Sequence, residues 1–503
     1  MEKLIRITPR DNVAVAVEGM FKGDIVCLDG VTYTLETDVP AGHKMALEDI
    51  RKGEKVIKYG YPIGAATADI PRGSHVHAFN IRTLLSEEAE YTYDEKKAEK
   101  YIEEARLREA GWKGKIPAIM AYERSSGDIG IRNELWIIPT VGCVNRIGQE
   151  LVSWAEKNIF TGDGVHVWTH PFGCSQLGGD HENTRKILAD LVHHPNAGGV
   201  LVLSLGCENN TPESFRELVG QVDESRVKFL TCQKVEDELE AGRQLLAQIS
   251  HEMEGDRRTS VPLSRLRVGF KCGGSDGFSG ITANPLVGRF CDELTAMGGT
   301  AILTEVPEMF GAEQVLMDIA ENREVFEQIV SLINNFKHYF TSHGQVVYEN
   351  PSPGNKAGGI STLEDKSLGC VQKGGRSVIT GVAEYGDRIT KSGLNLLSGP
   401  GNDIVSTTDQ SAAGAHMILF TTGRGTPLGA PVPTVKIATH NELAKKKENW
   451  IDFNAGRLLH EEARTVTNDL LQYVVKVASG EIRTKNELNG YAEISIFKDG
   501  VVL

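Results

Sequence analysis

Residues 198–232 read GGVLVLSLGCENNTPESFRELVGQVDESRVKFLTC. The apolar run Val200-Leu201-Val202-Leu203 is short, β-branched in part and bounded by glycines, which marks a strand. Pro212 then opens PESFRELVGQV, whose apolar residues recur at helical spacing, and RVKFLTC is a second strand. Strand, helix and strand in this order argue for a parallel sheet with helices on its faces.

The alternation extends both ways. GVHVWTHPFG (164–173) is strand-like, and TRKILADLVHH (184–194) and VEDELEAGRQLLAQISHEM (235–253) are helix-like. This predicts a first α/β domain over 116–255. Polar EGDRRTSVPLS (254–264) interrupts it. LRVGFKCGG, TAILTEVPEMFG, LNLLSGPG, HMILFTTGRG and PTVKIATH then supply the strands of a second α/β domain, 264–503. Residues 1–84 differ in kind. VAVAVEGM, DIVCLDGVTYTL and EKVIKYGYPIG mix β-branched and aromatic residues with turn formers, the pattern of a small β-rich module, with a short helix expected in ALEDIRKGEK. Residues 85–115 are charge-dense and read as an exposed linker with some helix.

The 503 residues carry 40% hydrophobic and 24% charged side chains, so the chain reads as a soluble multidomain protein. A net charge of −14 with no basic stripe argues against nucleic acid as a partner. The opening residues have no apolar core of a leader, and no stretch is apolar enough to span a bilayer, so no membrane partner is expected. The eight cysteines are spread too thinly for a secreted disulfide framework, and a reducing cytoplasm is the expected setting.

Several predicted strands end in glycine beside a cysteine or small polar residue: Gly173-Cys174, Gly206-Cys207-Glu208-Asn209-Asn210, Cys272-Gly273-Gly274-Ser275-Asp276, Gly401-Asn402 and Gly423-Arg424-Gly425. Ligands of open α/β sheets bind beyond the carboxyl ends of strands, where glycine permits close approach. Asn209, Asn210, Asp276 and Asn402 are therefore expected to line a polar, anion-binding site, and Arg424, flanked by glycines, is the cation with room to meet a carboxylate. Lys356 is the second cation. His170 and His181 are acid/base candidates. Cys143, Cys174, Cys207 and Cys272 are candidate metal ligands expected on one side of the α/β region; none has CxxC spacing. His75 and His77, two apart on a strand, share a face and can reach one metal. Cys27, Cys232 and Cys291 read as core. No GxGxxG follows a strand with an acidic residue about twenty positions on, which weakens a dehydrogenase reading.

IKYGYPIGAATADIPRGSHVHAFNIRT, GIRNELW with PTVGCVN, FGCSQLGGDHENT, CGGSDGFSGITANPLVGRF, YENPSPGNKAGGISTLEDKSLGC and FTTGRGTPLGAPVPTVKIATHNELAKKK follow one another along the chain. Together they resemble the altronate and galactarate dehydratase family over nearly its whole length. HVHAFNIRT and the chain length lie nearer its altronate-acting members. The resemblance implies a SAF-like β-clip module followed by two Rossmann-like domains. It also implies a homodimer, and loss of water from a sugar acid to give a 2-keto-3-deoxy acid. The implied cofactor is Fe²⁺; Mn²⁺ is an alternative, and the cysteines on separate strand ends leave an iron–sulfur cluster open. Lys356, His170 and His181 are the candidate catalytic residues. A binding protein of the same architecture, without turnover, is the competing reading.

Overall fold

The apolar runs of the middle and end of the chain form two parallel sheets in the computed structural model, which describes residues 3–85 and 90–502. Their strands are labelled here in chain order. The first sheet contains β1 (Glu134–Pro139), β2 (Gly164–Val167), β3 (Ala197–Ser204) and β4 (Val227–Thr231), in the order β2-β1-β3-β4. Helices Asn145–Asn158 and Glu238–Met253 bury leucines and methionine on one face. Helices Gly178–Val192 and Pro212–Val219 cover the other, around Trp136 and Trp168.

The second sheet contains β5 (Arg267–Cys272), β6 (Thr300–Leu303), β7 (Ile379–Ala383), β8 (Gly393–Leu397), β9 (Met417–Thr422), β10 (Thr434–Ala438) and β11 (Phe453–Asn454). Its order is β7-β8-β6-β5-β9-β10-β11, parallel throughout. Progression reverses between β5 and β9. The crevice beyond their carboxyl ends is where such sheets hold ligands. The segments there are Cys272–Asp276 and Thr422–Arg424.

The N-terminal module is antiparallel. Leu4–Ile5, Val13–Ala16, Lys44–Ala46 and His75–Val76 form one sheet, and Ile25–Leu28 pairs with Val31–Thr34. Lys55–Lys58, Tyr61–Ala66 and Ile81–Arg82 form another. The module keeps a small core around Met20, Leu35 and Met45. Its other apolar face, with Val56, Ile63 and Ile70, joins the main core of the C-terminal domain.

Two local expectations change, and two others gain detail. ALEDIRKGEK forms no helix: Ile50 bridges to Ile70, and the Glu54 carboxylate accepts the Arg51 N–H in a turn. Cys27 alternates outward on its strand and is exposed. The charged linker contains an 18-residue helix, Glu95–Trp112, that buries only Ala98, which is why its sequence looks solvated. It is held polar-side to the C-terminal domain by Lys97–Asp318 (2.9 Å) and by Trp112 Nε1 donating to Glu293 (2.6 Å). Residues 86–89 of that linker lie outside those described. Within the polar interruption, Thr259–Pro262 pairs with Ala118–Glu123, so the chain enters and leaves the first α/β unit on adjacent strands. Among the described residues no helix is long and apolar enough to cross a membrane.

Candidate functional site

Strand pairing sets Met45 opposite His75 and so brings His43, just before that strand, to His75 and His77. His43 Nδ1 lies 2.9 Å from His75 Nε2. One ring nitrogen from each of the three lies within 4.8 Å of the others. Two nitrogens each about 2.1 Å from one ion sit about 3 Å apart when cis, so the spacing suits a shared metal. His43 Nε2 faces the Ala357 carbonyl at 3.4 Å, and His77 Nδ1 faces Ser361 Oγ at 3.2 Å. Such outer contacts fix a ring so that its other nitrogen is free to ligate. Burial first, and then neighbouring histidines and Lys44, pull His75 down to about 3 and His77 to about 4. All three are therefore neutral at physiological pH, the form that binds metals.

Ala357 also lines a cavity of about 570 Å³ between the module and the C-terminal domain. Val17, Glu18 and Ala41 form the module's side; Asp276, Arg424 and His440 stand on the other, at the sheet's reversal point. The glycines here let backbone meet backbone. Gly277 N–H donates to Gly358 O at 2.7 Å, and a Cβ on Gly277 would lie 1.9 Å from Gly42 O. At Gly423 a Cβ would lie 2.2 Å from the Asp276 carboxyl carbon, so glycine makes room for that carboxylate. Asp276 Oδ2 accepts from Thr439 Oγ1 (3.0 Å) and lies 3.7 Å from His440 Nε2. Burial raises the Asp276 pKa, with His440 opposing. His440 Nδ1 accepts the Leu443 N–H, which leaves the proton on Nε2. Arg424 is exposed on the cavity wall, held by one bond to Gly354 O (3.2 Å). Lys356 is exposed beside Ala357.

Cys272 stands in a different group. Its sulfur is 3.3 Å from Cys370 Sγ, and Glu308 Oε2 lies 3.3 and 3.1 Å from the two thiols. All three are buried. Around them Lys373 donates to Cys272 Sγ (3.0 Å) and Glu305 (3.0 Å), Lys366 to Glu308 (2.8 Å), and Lys271 to Glu305 and Asp403. The single four-cysteine site expected from the strand ends therefore divides: Cys143, Cys174 and Cys207 are on the first α/β domain, beyond β1, β2 and β3, and exposed.

His170 is buried, with both ring nitrogens engaged by backbone, at Pro139 O (2.8 Å) and Phe172 N–H (3.1 Å). His181 is on helix Gly178–Val192 of the first α/β domain, away from the cavity lining. Asn209 accepts the Ser175 N–H, Asn210 is fully buried, and Asn402 caps helix Asp403–Ala412. Of the expected residues, the structure gathers His75, His77, Lys356, Asp276 and Arg424 around one interface. Sequence reasoning missed His43, His440, Glu308 and Cys370. His440 closes PTVKIATH at a strand end, the one usable signal among them.

Three family models match the chain in order: the altronate/galactarate dehydratase SAF domain over residues 2–84, the D-galactarate dehydratase/altronate hydrolase second domain over 121–254, and the D-galactarate/altronate dehydratase C-terminal domain over 263–502. The altronate dehydratase of Escherichia coli (strain K12) is 53% identical over 503 residues, covering 99% of both chains. That of Bacillus subtilis (strain 168) is 51% identical over 510, covering 100% of both. Galactarate dehydratase (L-threo-forming) of Escherichia coli (strain K12) is 33% identical over 518, covering 99% of this chain and 97% of its own.

Proposed function

The chain belongs to the altronate and galactarate dehydratase family, and we propose that it is a hydro-lyase converting D-altronate to 2-dehydro-3-deoxy-D-gluconate in the cavity between its SAF module and its C-terminal domain. The convergence of His43, His75 and His77 beside that cavity carries the placement. Three neutral imidazoles at cis spacing suit a first-row divalent ion, Fe²⁺ or Mn²⁺. When bound, such an ion supplies a Lewis-acidic cation beside the substrate carboxylate.

The chain's own residues divide the remaining work. Arg424 offers the carboxylate a planar, two-pronged donor. Asp276, whose affinity for a proton is raised by burial, takes the proton from the carbon next to the carboxylate. The electron pair left behind forms the C2–C3 double bond as the C3–O bond breaks. Hydroxide is a poor leaving group, so it must depart protonated; Lys356 at the rim is our donor for that proton. His440 presents its Nε2–H to a substrate hydroxyl. The enol then takes up a proton at C3 and gives up its hydroxyl proton, becoming the 2-keto acid.

We read the two parallel sheets as Rossmann-like units, supported by their strand–helix alternation and by the site at a reversal point. We place the enzyme in the cytoplasm as a homodimer; eight unpaired cysteines support a reducing setting. The test is keto-acid formation from altronate and from galactarate, before and after chelation and Fe²⁺ return. Altronate turnover that disappears with the metal and returns with it supports the reading. Turnover of galactarate alone, or turnover indifferent to chelation, overturns it.

A further inference from the structure

Cys143, Cys174 and Cys207 follow three adjacent strands, β1, β2 and β3, and the loops bearing them are laced together. Gly142 N–H donates to Phe172 O (2.9 Å), Asn210 N–H to Gly173 O (3.1 Å) and Ser175 N–H to Asn209 Oδ1 (2.8 Å). The residue after Cys174, Ser175, holds a φ of +60°, a conformation uncommon outside glycine. All three thiols are exposed, whereas Cys232 and Cys291 of the same chain are buried as core.

A second observation concerns amides. Asn210 is fully buried, and neither its side-chain nitrogen nor its oxygen has a partner among the described residues. Gln176 is 4% exposed; its oxygen accepts the Gly173 N–H while its nitrogen is unpartnered. Buried amides without partners are rare in folded chains and point to a group that belongs there. Both lie within three residues of a thiol.

A single zinc or iron with thiolate bonds of about 2.3 Å draws its sulfurs to about 3.8 Å of each other. These three sulfurs do not all lie within 4.8 Å of one another, unlike the His43 and Cys272 groups. A polynuclear centre suits thiols carried on three loops that are hydrogen-bonded together, because each thiolate holds a different iron. We propose that Cys143, Cys174 and Cys207 bind a [4Fe–4S] cluster, each thiol losing its proton on ligation, with the fourth iron left without a cysteine and open to an oxygen ligand such as a carboxylate or hydroxyl. Three thiolates on a core of charge 2+ leave one net negative charge. Helices Asn145–Asn158, Gly178–Val192 and Pro212–Val219 begin within a few residues of the three cysteines, so their N-terminal ends offset that charge. The cluster site stands apart from the histidine site and does not depend on it.

The full chain, isolated without oxygen, is to be assayed for iron, acid-labile sulfide, visible charge-transfer absorption and the paramagnetic signal of the reduced cluster. About four sulfides per chain are expected in the wild type, with about four irons beyond the one assigned to the histidine site. The Cys143→Ser, Cys174→Ser and Cys207→Ser variants are each expected to lose them, while Cys27→Ser and His75→Ala keep the absorption. Because a serine variant can fail to fold, the wild type is also to be labelled with maleimide: three thiols should be protected in cluster-replete protein and released when iron is removed. Iron without sulfide, cluster content indifferent to these three substitutions, or three thiols labelling equally with and without iron would overturn the proposal.

Discussion

His75 and His77 are legible as a pair because a strand has a period of two, which fixes both on one face. His43 is not, since its place depends on the register that sets Met45 against His75, thirty residues apart in the chain. His170 shows the converse. Its strand-end position invites a catalytic role, yet its two ring nitrogens bind local backbone, a use that leaves no mark in the sequence. Two substitutions probe the cavity. Arg424→Lys keeps the charge but loses the planar fork, and kcat/KM for altronate should fall about 100-fold, or about 2.7 kcal/mol of transition-state stabilisation. Unchanged kinetics would assign the guanidinium to the surface. Asp276→Asn removes the proton acceptor and should lower kcat about 10³-fold with little change in KM; a pure KM effect would make Asp276 a binding group instead.

At the scale of elements, the alternation of strand and helix was readable throughout, because buried parallel strands are continuously apolar. What joins the elements was not. Lys44 and Lys58 of the module reach Asp365 of helix Leu363–Cys370 at 2.8 and 2.9 Å, all three buried, across more than 300 residues of sequence. Even beside Asp365, burial holds Lys44 down at about 8. Lysines in a β-rich module read as surface in any sequence scan, and only the fold turns them inward. Asp365→Ala would strand two buried ammonium groups, and urea denaturation should register a loss of about 3–5 kcal/mol. A loss under 1 kcal/mol would mean that water replaces the carboxylate. The glycine-rich strand ends were also legible, although Gly277 and Gly358 serve contact between domains as well as room for a ligand.

For the whole molecule, the module is part of the main core rather than a detachable lid. Val56, Ile63 and Ile70 pack in the same apolar cluster as Leu286 and Phe310, so deleting residues 1–84 should yield insoluble or unfolded protein, seen in its circular dichroism. A soluble, cooperatively folding truncation would restore the lid. Acid should weaken the fold in a defined window. Burial holds His170 and His416 at about 4 in the folded state, below their ordinary 6.5. The folded chain therefore favours their neutral forms. The stability they contribute is complete above pH 6.5 and is lost as pH falls toward 4, by at most about 3 kcal/mol for each. Urea midpoints that stay flat from pH 7.5 to 4.5 would contradict this. The most direct measurement of the central claim is iron bound per chain together with altronate turnover in His43→Ala, the residue that only the fold brings to His75 and His77. If the three imidazoles hold the catalytic ion, this variant keeps the wild-type circular dichroism, loses one tightly bound Fe²⁺ and loses turnover at least about 100-fold. Full iron content with wild-type turnover in the same variant would contradict it.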